Sequence, residues 1–141
     1  MQYQKFGQHY MIRLDRGEEV IASLKNFCRQ EAITAAEIVG LGATDEVTVG
    51  IYQVETRTYH KQTFTGEFEI TNLTGDVSQK DGDVYLHLHI TCGKEDFSTF
   101  GGHLDACRIS GTCELHLTKL DGLIGRQYDE ATGLNIYCFT E

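Results

Sequence analysis

Proline is absent from this 141-residue chain. Its absence excludes proline-rich linkers and polyproline ligands, and removes the usual source of slow cis–trans folding phases. Cations are scarce: 12 Lys and Arg stand against 21 Asp and Glu, a formal charge of −9. Such acidity opposes non-specific attachment to nucleic-acid phosphates or anionic membranes, because that binding exchanges protein cations for counterions. Long apolar runs are missing too. No stretch approaches the roughly 18 residues of a membrane helix. The segment Met1–Glu19 holds no apolar run long enough for a signal peptide, so a cytoplasmic protein is expected. The five cysteines, Cys28, Cys92, Cys107, Cys113 and Cys138, form no Cys-x-x-Cys pair. An odd count without such a pair points to reduced thiols buried as small hydrophobes. There is no P-loop, nucleophile elbow or His-Glu-x-x-His. Gly40-Leu41-Gly42-Ala43-Thr44-Asp45 has Asp where a dinucleotide fingerprint wants its third glycine.

What remains has the size of one domain, 1–141, and hydrophobic residues make up 40% of it. Tyr10, Ile12 and Leu14 alternate with Met11 and Arg13, as in a half-buried strand. Asp15 and Glu18 have capping-box spacing, and Val20, Ile21, Leu24, Phe27 and Cys28 recur on one helical face. The expected helix covers 17–31, with a short helical turn at Thr34–Ala36. Strands are expected at 37–43, 47–51, 59–63, 68–73, 85–91, 104–110, 113–118 and 134–139. The fifteen glycines include Gly75, Gly82, Gly93, Gly101, Gly102, Gly111, Gly122 and Gly133, which read as turn punctuation. The fold class is therefore α+β: a many-stranded, largely antiparallel sheet with one main helix packed on it.

Chemistry concentrates in Tyr85-Leu86-His87-Leu88-His89-Ile90. Strand side chains alternate faces, so His87 and His89 project together, with Cα atoms about 6.7 Å apart. Two imidazoles so placed can tilt onto one ion, although two histidines on a solvated face give the same string. Gly101-Gly102-His103 adds a third imidazole after two residues that permit unusual dihedrals and close backbone approach. Three neutral imidazoles with one open position suit Zn²⁺, while nickel, copper and iron also accept nitrogen ligands. The open position would hold an activated water or a substrate oxygen. Glu114 is a weaker candidate, as a general base or an orienting group, against a solvated carboxylate as the default. His116 shares its strand face and is a candidate extra ligand, against an exposed sheet residue, and His9 and His60 read as surface residues.

With these parts in view, the sequence resembles the plant and prokaryote conserved (PPC) domain in its single-domain prokaryotic form. The resemblance runs from Ile12-Arg13-Leu14-Asp15-Arg16-Gly17-Glu18-Glu19 through Val39-Gly40-Leu41-Gly42-Ala43, Gly66-Glu67-Phe68-Glu69-Ile70 and Leu73-Thr74-Gly75-Asp76. It continues through His87-Leu88-His89 and Gly101-Gly102-His103-Leu104, and closes with Arg126, Asp129 and Thr132-Gly133-Leu134. Glu67 departs from the Arg common in plant members. The resemblance implies a homotrimer and a metal held by His87, His89 and His103. Val47, Val49 and Ile51 are candidates for an apolar face that a neighbouring subunit covers. The fold is also similar to that of acetolactate decarboxylase, another user of a His-x-His pair.

Three functions follow as expectations. One is a regulatory or DNA-associated module, although the Arg-Gly-Arg-Pro AT-hooks of plant relatives need proline and are absent. The alternative is a metal-dependent enzyme, decarboxylase-like, acting on a small carboxylate. There Arg126 would hold the carboxylate, against a plain structural salt bridge as its competing role. The third is a structural metal joining strands or subunits.

Overall fold

The computed structural model describes residues 1–139. Its strands are β1 (Gln2–Phe6), β2 (His9–Leu14), β3 (Ala36–Gln53), β4 (Thr58–Lys80), β5 (Asp83–Gly93), β6 (Thr99–Lys119), β7 (Gly125–Asp129) and β8 (Leu134–Cys138). The single helix, α1, spans Val20–Gln30. The molecule is mostly sheet, so α+β describes it only coarsely. Every strand pairing is antiparallel except one parallel bridge, Gln79 to Gly125 between β4 and β7. The pairings β3–β4, β4–β5, β5–β6 and β6–β3 close a circuit, with β1, β2, β7 and β8 added outside it. Among the described residues, no helix is long and apolar enough to cross a membrane.

The helix starts later than its spacing predicts. Glu19 is the N-cap, and its carboxylate accepts from the amides of Ile21 and Ala22. The Asp15–Glu18 pair does form, with Glu18 Oε2 accepting from the Asp15 amide at 2.7 Å, but it closes the turn before the helix. Val20, Leu24, Phe27 and Cys28 are buried against the sheet, with Ile21 partly buried beside them. No helical turn occupies Thr34–Ala36; Ala36 already opens β3.

Most glycines read as turns sit inside strands. Gly75 lies within β4, and Gly101, Gly102 and Gly111 lie within β6. Each long strand therefore joins two of the shorter runs expected from sequence. Of the glycines taken as turn markers, Gly82, Gly122 and Gly133 are the ones with positive φ. Asp81 (φ 53°) and Gly82 (φ 79°) make the tight turn between β4 and β5, both in the left-handed region that a type I′ hairpin demands. Val47 and Val49 belong to the chain's own core and Ile51 alone of that trio is exposed, so they are not one shared outer face. Register shifts near Thr48 and Val49 in the β3–β6 pairing break the simple alternation there.

Candidate metal centre

β5 delivers His87 and His89 on one face, as two-residue spacing requires. β6 crosses beside it, and His103 is paired with His89 of β5 and with Gly50 of β3. This crowding explains the two glycines before His103. A Cβ on Gly102 would meet the Gly50 carbonyl oxygen at 2.7 Å, and one on Gly101 would collide with the Ile90 carbonyl. Neither glycine has a positive φ, so close approach, not unusual dihedrals, is what they supply.

The three rings converge. Their centroids lie 5.2 Å (His87–His89), 5.4 Å (His87–His103) and 5.6 Å (His89–His103) apart. One ring nitrogen from each lies within 4.8 Å of the others. Nitrogens about 2.1 Å from a tetrahedral zinc sit about 3.4 Å from one another, so modest ring rotations bring this trio to ligand distance. Among the described residues His103 Nδ1 is buried with no hydrogen-bond partner, a cost that an ion bound at that nitrogen would remove. Burial first, then the neighbouring His87 and His89, push the His103 pKa down to about 4. Burial, followed by His87, lowers that of His89. Both shifts favour the neutral imidazole that a metal needs. The donor set is three borderline nitrogens with no thiolate, which fits zinc and its first-row neighbours better than calcium or magnesium.

Beside the histidines lies a cavity of about 290 Å³, walled by Tyr59, Tyr85, His87, His103, Arg126 and the β8 residues Leu134–Tyr137. Arg126 is on this wall but already committed. Its Nε donates to Ser78 Oγ at 2.7 Å, Nη1 to the Asn135 carbonyl at 2.9 Å, and Nη2 to Asp76 Oδ1 at 2.8 Å. Its side chain is only 5% exposed, sandwiched between the rings of Tyr85 and Tyr137. That is the structural salt bridge, with no freedom to swing onto a substrate carboxylate.

Glu114 is not brought to this centre. It lies exposed on the far half of β6, opposite Arg13 on β2 and Leu41 on β3. His116 meets His9 instead, ring nitrogens 3.1 Å apart, and His60 is exposed on β4. The residue that sequence reasoning passed over is Asp76, whose Oδ2 lies 3.7 Å from His87 Nδ1. Burial alone would raise the Asp76 carboxyl. The nearby His87 and Tyr137 side chains, with the hydrogen bond and charge of Arg126, outweigh it and hold the pKa below its ordinary value. A countable signal existed. From the Asp81-Gly82 turn, pairing outward places Asp76 directly opposite His87.

The four cysteines Cys28, Cys92, Cys107 and Cys113 are buried free thiols; burial pushes Cys28 and Cys113 up to about 12. They are inert hydrophobes at neutral pH.

A strand-built domain with three imidazoles converging beside a small cavity defines the class: a sheet domain with a candidate metal centre. Within that class the chain belongs to the Plants and Prokaryotes Conserved (PCC) domain family, whose model matches residues 1–121. A Bacteroides thetaiotaomicron protein provisionally described as DNA-binding is 37% identical, with a TM-score of 0.95 over 98% of this chain and 96% of that one. A metal-containing protein from Archaeoglobus fulgidus is 30% identical, with a TM-score of 0.89 over 99% of each chain. The α-acetolactate decarboxylase of Bacillus subtilis is 14% identical, with a TM-score of 0.57 over 82% of this chain and 54% of that enzyme; this likeness is one of fold alone. Comparison with curated proteins gave no match.

Proposed function

We propose that this protein is a metal-binding module in which His87, His89 and His103 hold one divalent ion, zinc, with an open position toward the adjoining cavity. The observation that carries the reading is the convergence of three ring nitrogens within 4.8 Å, one ring having a buried nitrogen with no other partner. The metal-containing description of the Archaeoglobus fulgidus relative supports it. When bound, the ion supplies a Lewis acid able to polarise an oxygen-bearing ligand. The cavity walls then set what reaches it. Tyr59, Tyr85, Tyr137, Leu134 and Ile136 offer a mainly apolar surface sized for a small molecule. Arg126 contributes a fixed, internally neutralised wall and no free anion clamp. The reading is therefore of a ligand-binding metal module before it is of a carboxylate lyase.

Titration calorimetry with zinc tests it. One ion per chain is expected for the wild type and none for His87→Ala/His89→Ala. Unchanged occupancy in that variant would rule the assignment out.

The homotrimer implied by the family resemblance is part of this proposal. Leu41 and Ile51 are each 57% exposed and Phe97 is 94% exposed, apolar surface that subunit contacts would cover. Light scattering should give about three times the 15.9 kDa chain mass; a monomer would contradict it. The DNA-binding description of the Bacteroides relative does not carry over easily to a chain of net charge −9. A gel shift at low salt should show no retardation, and salt-sensitive binding there would restore the DNA-associated reading.

A further inference from the structure

Resting on the metal reading above, we propose that Asp76 is a positioning residue for this centre, locked in place by Arg126 of the β7–β8 hairpin. Asp76 holds His87 with its proton on Nδ1, which leaves the Nε2 lone pair for the ion.

The geometry divides the Asp76 carboxylate between two tasks. Oδ1 accepts from Arg126 Nη2 at 2.8 Å, and Oδ2 faces His87 Nδ1 at 3.7 Å. An ionised carboxylate only accepts, and a neutral imidazole has one N–H to give. The tautomer with the proton on Nδ1 is therefore the one that the pair favours, and a small ring rotation closes the contact. Imidazole ligands commonly have their second nitrogen held in this way, which fixes ring orientation and raises ligand basicity.

Arg126 makes the carboxylate immobile. Its three donor contacts fix the guanidinium in plane, and the rings of Tyr85 and Tyr137, 4.7 and 4.5 Å from its central carbon, fix it face to face. Lysine cannot reproduce that fork and stack. The hairpin pairs with β4 at Gln79–Gly125, and Tyr52 and Arg57 donate to the Thr132 and Glu130 carbonyls of its turn; Arg126 is the polar link from the hairpin to Asp76 beside the metal centre. It lies beyond the residues matched by the family model, which end at 121.

Two measurements test this. The first is long-range proton–nitrogen NMR of the metal-free wild type, which reads the His87 tautomer directly and needs no variant. The expected result is protonation at Nδ1; protonation at Nε2 overturns the proposal. The second is zinc affinity, measured by chelator competition. Asp76→Ala should lose about 10–100-fold with one ion per chain retained, and Arg126→Lys should lose less. The double variant Asp76→Ala/Arg126→Met leaves no unpaired buried guanidinium, and should match Asp76→Ala if the effect passes through His87. Affinity within twofold of wild type in both Asp76 variants would overturn the proposal. Zinc binding that depends on the histidines but not on Asp76 sinks this inference alone. Zinc binding indifferent to the histidines sinks the metal reading beneath it.

Discussion

Two regions of the sheet bring histidines together, and only one has the makings of a site. On the outer strands, His9 Nδ1 lies 3.1 Å from His116 Nε2 and 3.2 Å from Thr118 Oγ1, so those rings satisfy one another in the open. Where β5 meets β6, three rings converge, and the buried His103 Nδ1 has no hydrogen-bond partner among the described residues. The difference lies in the backbone. Gly101 and Gly102 let β6 press against β5 and β3, and that approach buries a third imidazole among two others. Proximity of histidines is cheap to achieve; proximity with an unmet polar atom has a cost that a ligand relieves.

The sharpest contrast should come from deleting each cluster. His87→Ala/His89→Ala should abolish zinc binding in calorimetry, a loss beyond the roughly 10–100-fold that removing a supporting residue costs. His9→Ala/His116→Ala should leave affinity unchanged. Next in size is the glycine contrast. Gly102→Ala places a Cβ 2.7 Å from the Gly50 carbonyl oxygen and should destabilise by about 1–3 kcal/mol in thermal melts. Gly111→Ala, on the same strand, meets only Ala43 Cβ at 3.6 Å and should stay within about 0.5 kcal/mol. Equal effects at both positions would remove the packing argument for the site.

Acid should destabilise the metal-free protein through His103. The unfolded chain binds that proton near the ordinary 6.5 and the folded chain only near about 4. Between those values the unfolded state holds more protons, so stability falls as pH drops through this window and is fully present above it. After discounting for partial solvent screening, the effect is on the order of 1–2 kcal/mol. A His103→Gln variant should lose this slope in melts taken across the window; an unchanged slope places the acid sensitivity elsewhere. The smallest effect is expected at Glu114. Glu114→Gln should leave zinc affinity intact and stability within about 0.5 kcal/mol, since the side chain is exposed and far along β6.

Much of this was legible in the residues themselves. The alternation of His87 and His89 with Leu86, Leu88 and Ile90 gave a shared face, and the glycine pair before His103 gave a reason for its aim. Strand lengths were not legible, because Gly75 and Gly101 look like turn residues in a string and act as close-packing residues within β4 and β6. The exposure of Ile51 beside buried Val47 and Val49 is a break that no period-two pattern announces. Asp76 was within reach, since counting back from Asp81-Gly82 pairs it with His87. The structural salt bridge of Arg126 was read from sequence, but its partner was not, because the placement of Arg126 rests on how the β7–β8 hairpin folds back on β4.

The most direct test is diffraction from crystals grown with zinc, recorded on both sides of the zinc absorption edge. The account predicts one anomalous peak per chain among the ring nitrogens of His87, His89 and His103, at about 2.0–2.1 Å from each. A peak beside His9 and His116, or density at the three rings without an anomalous signal, would contradict it.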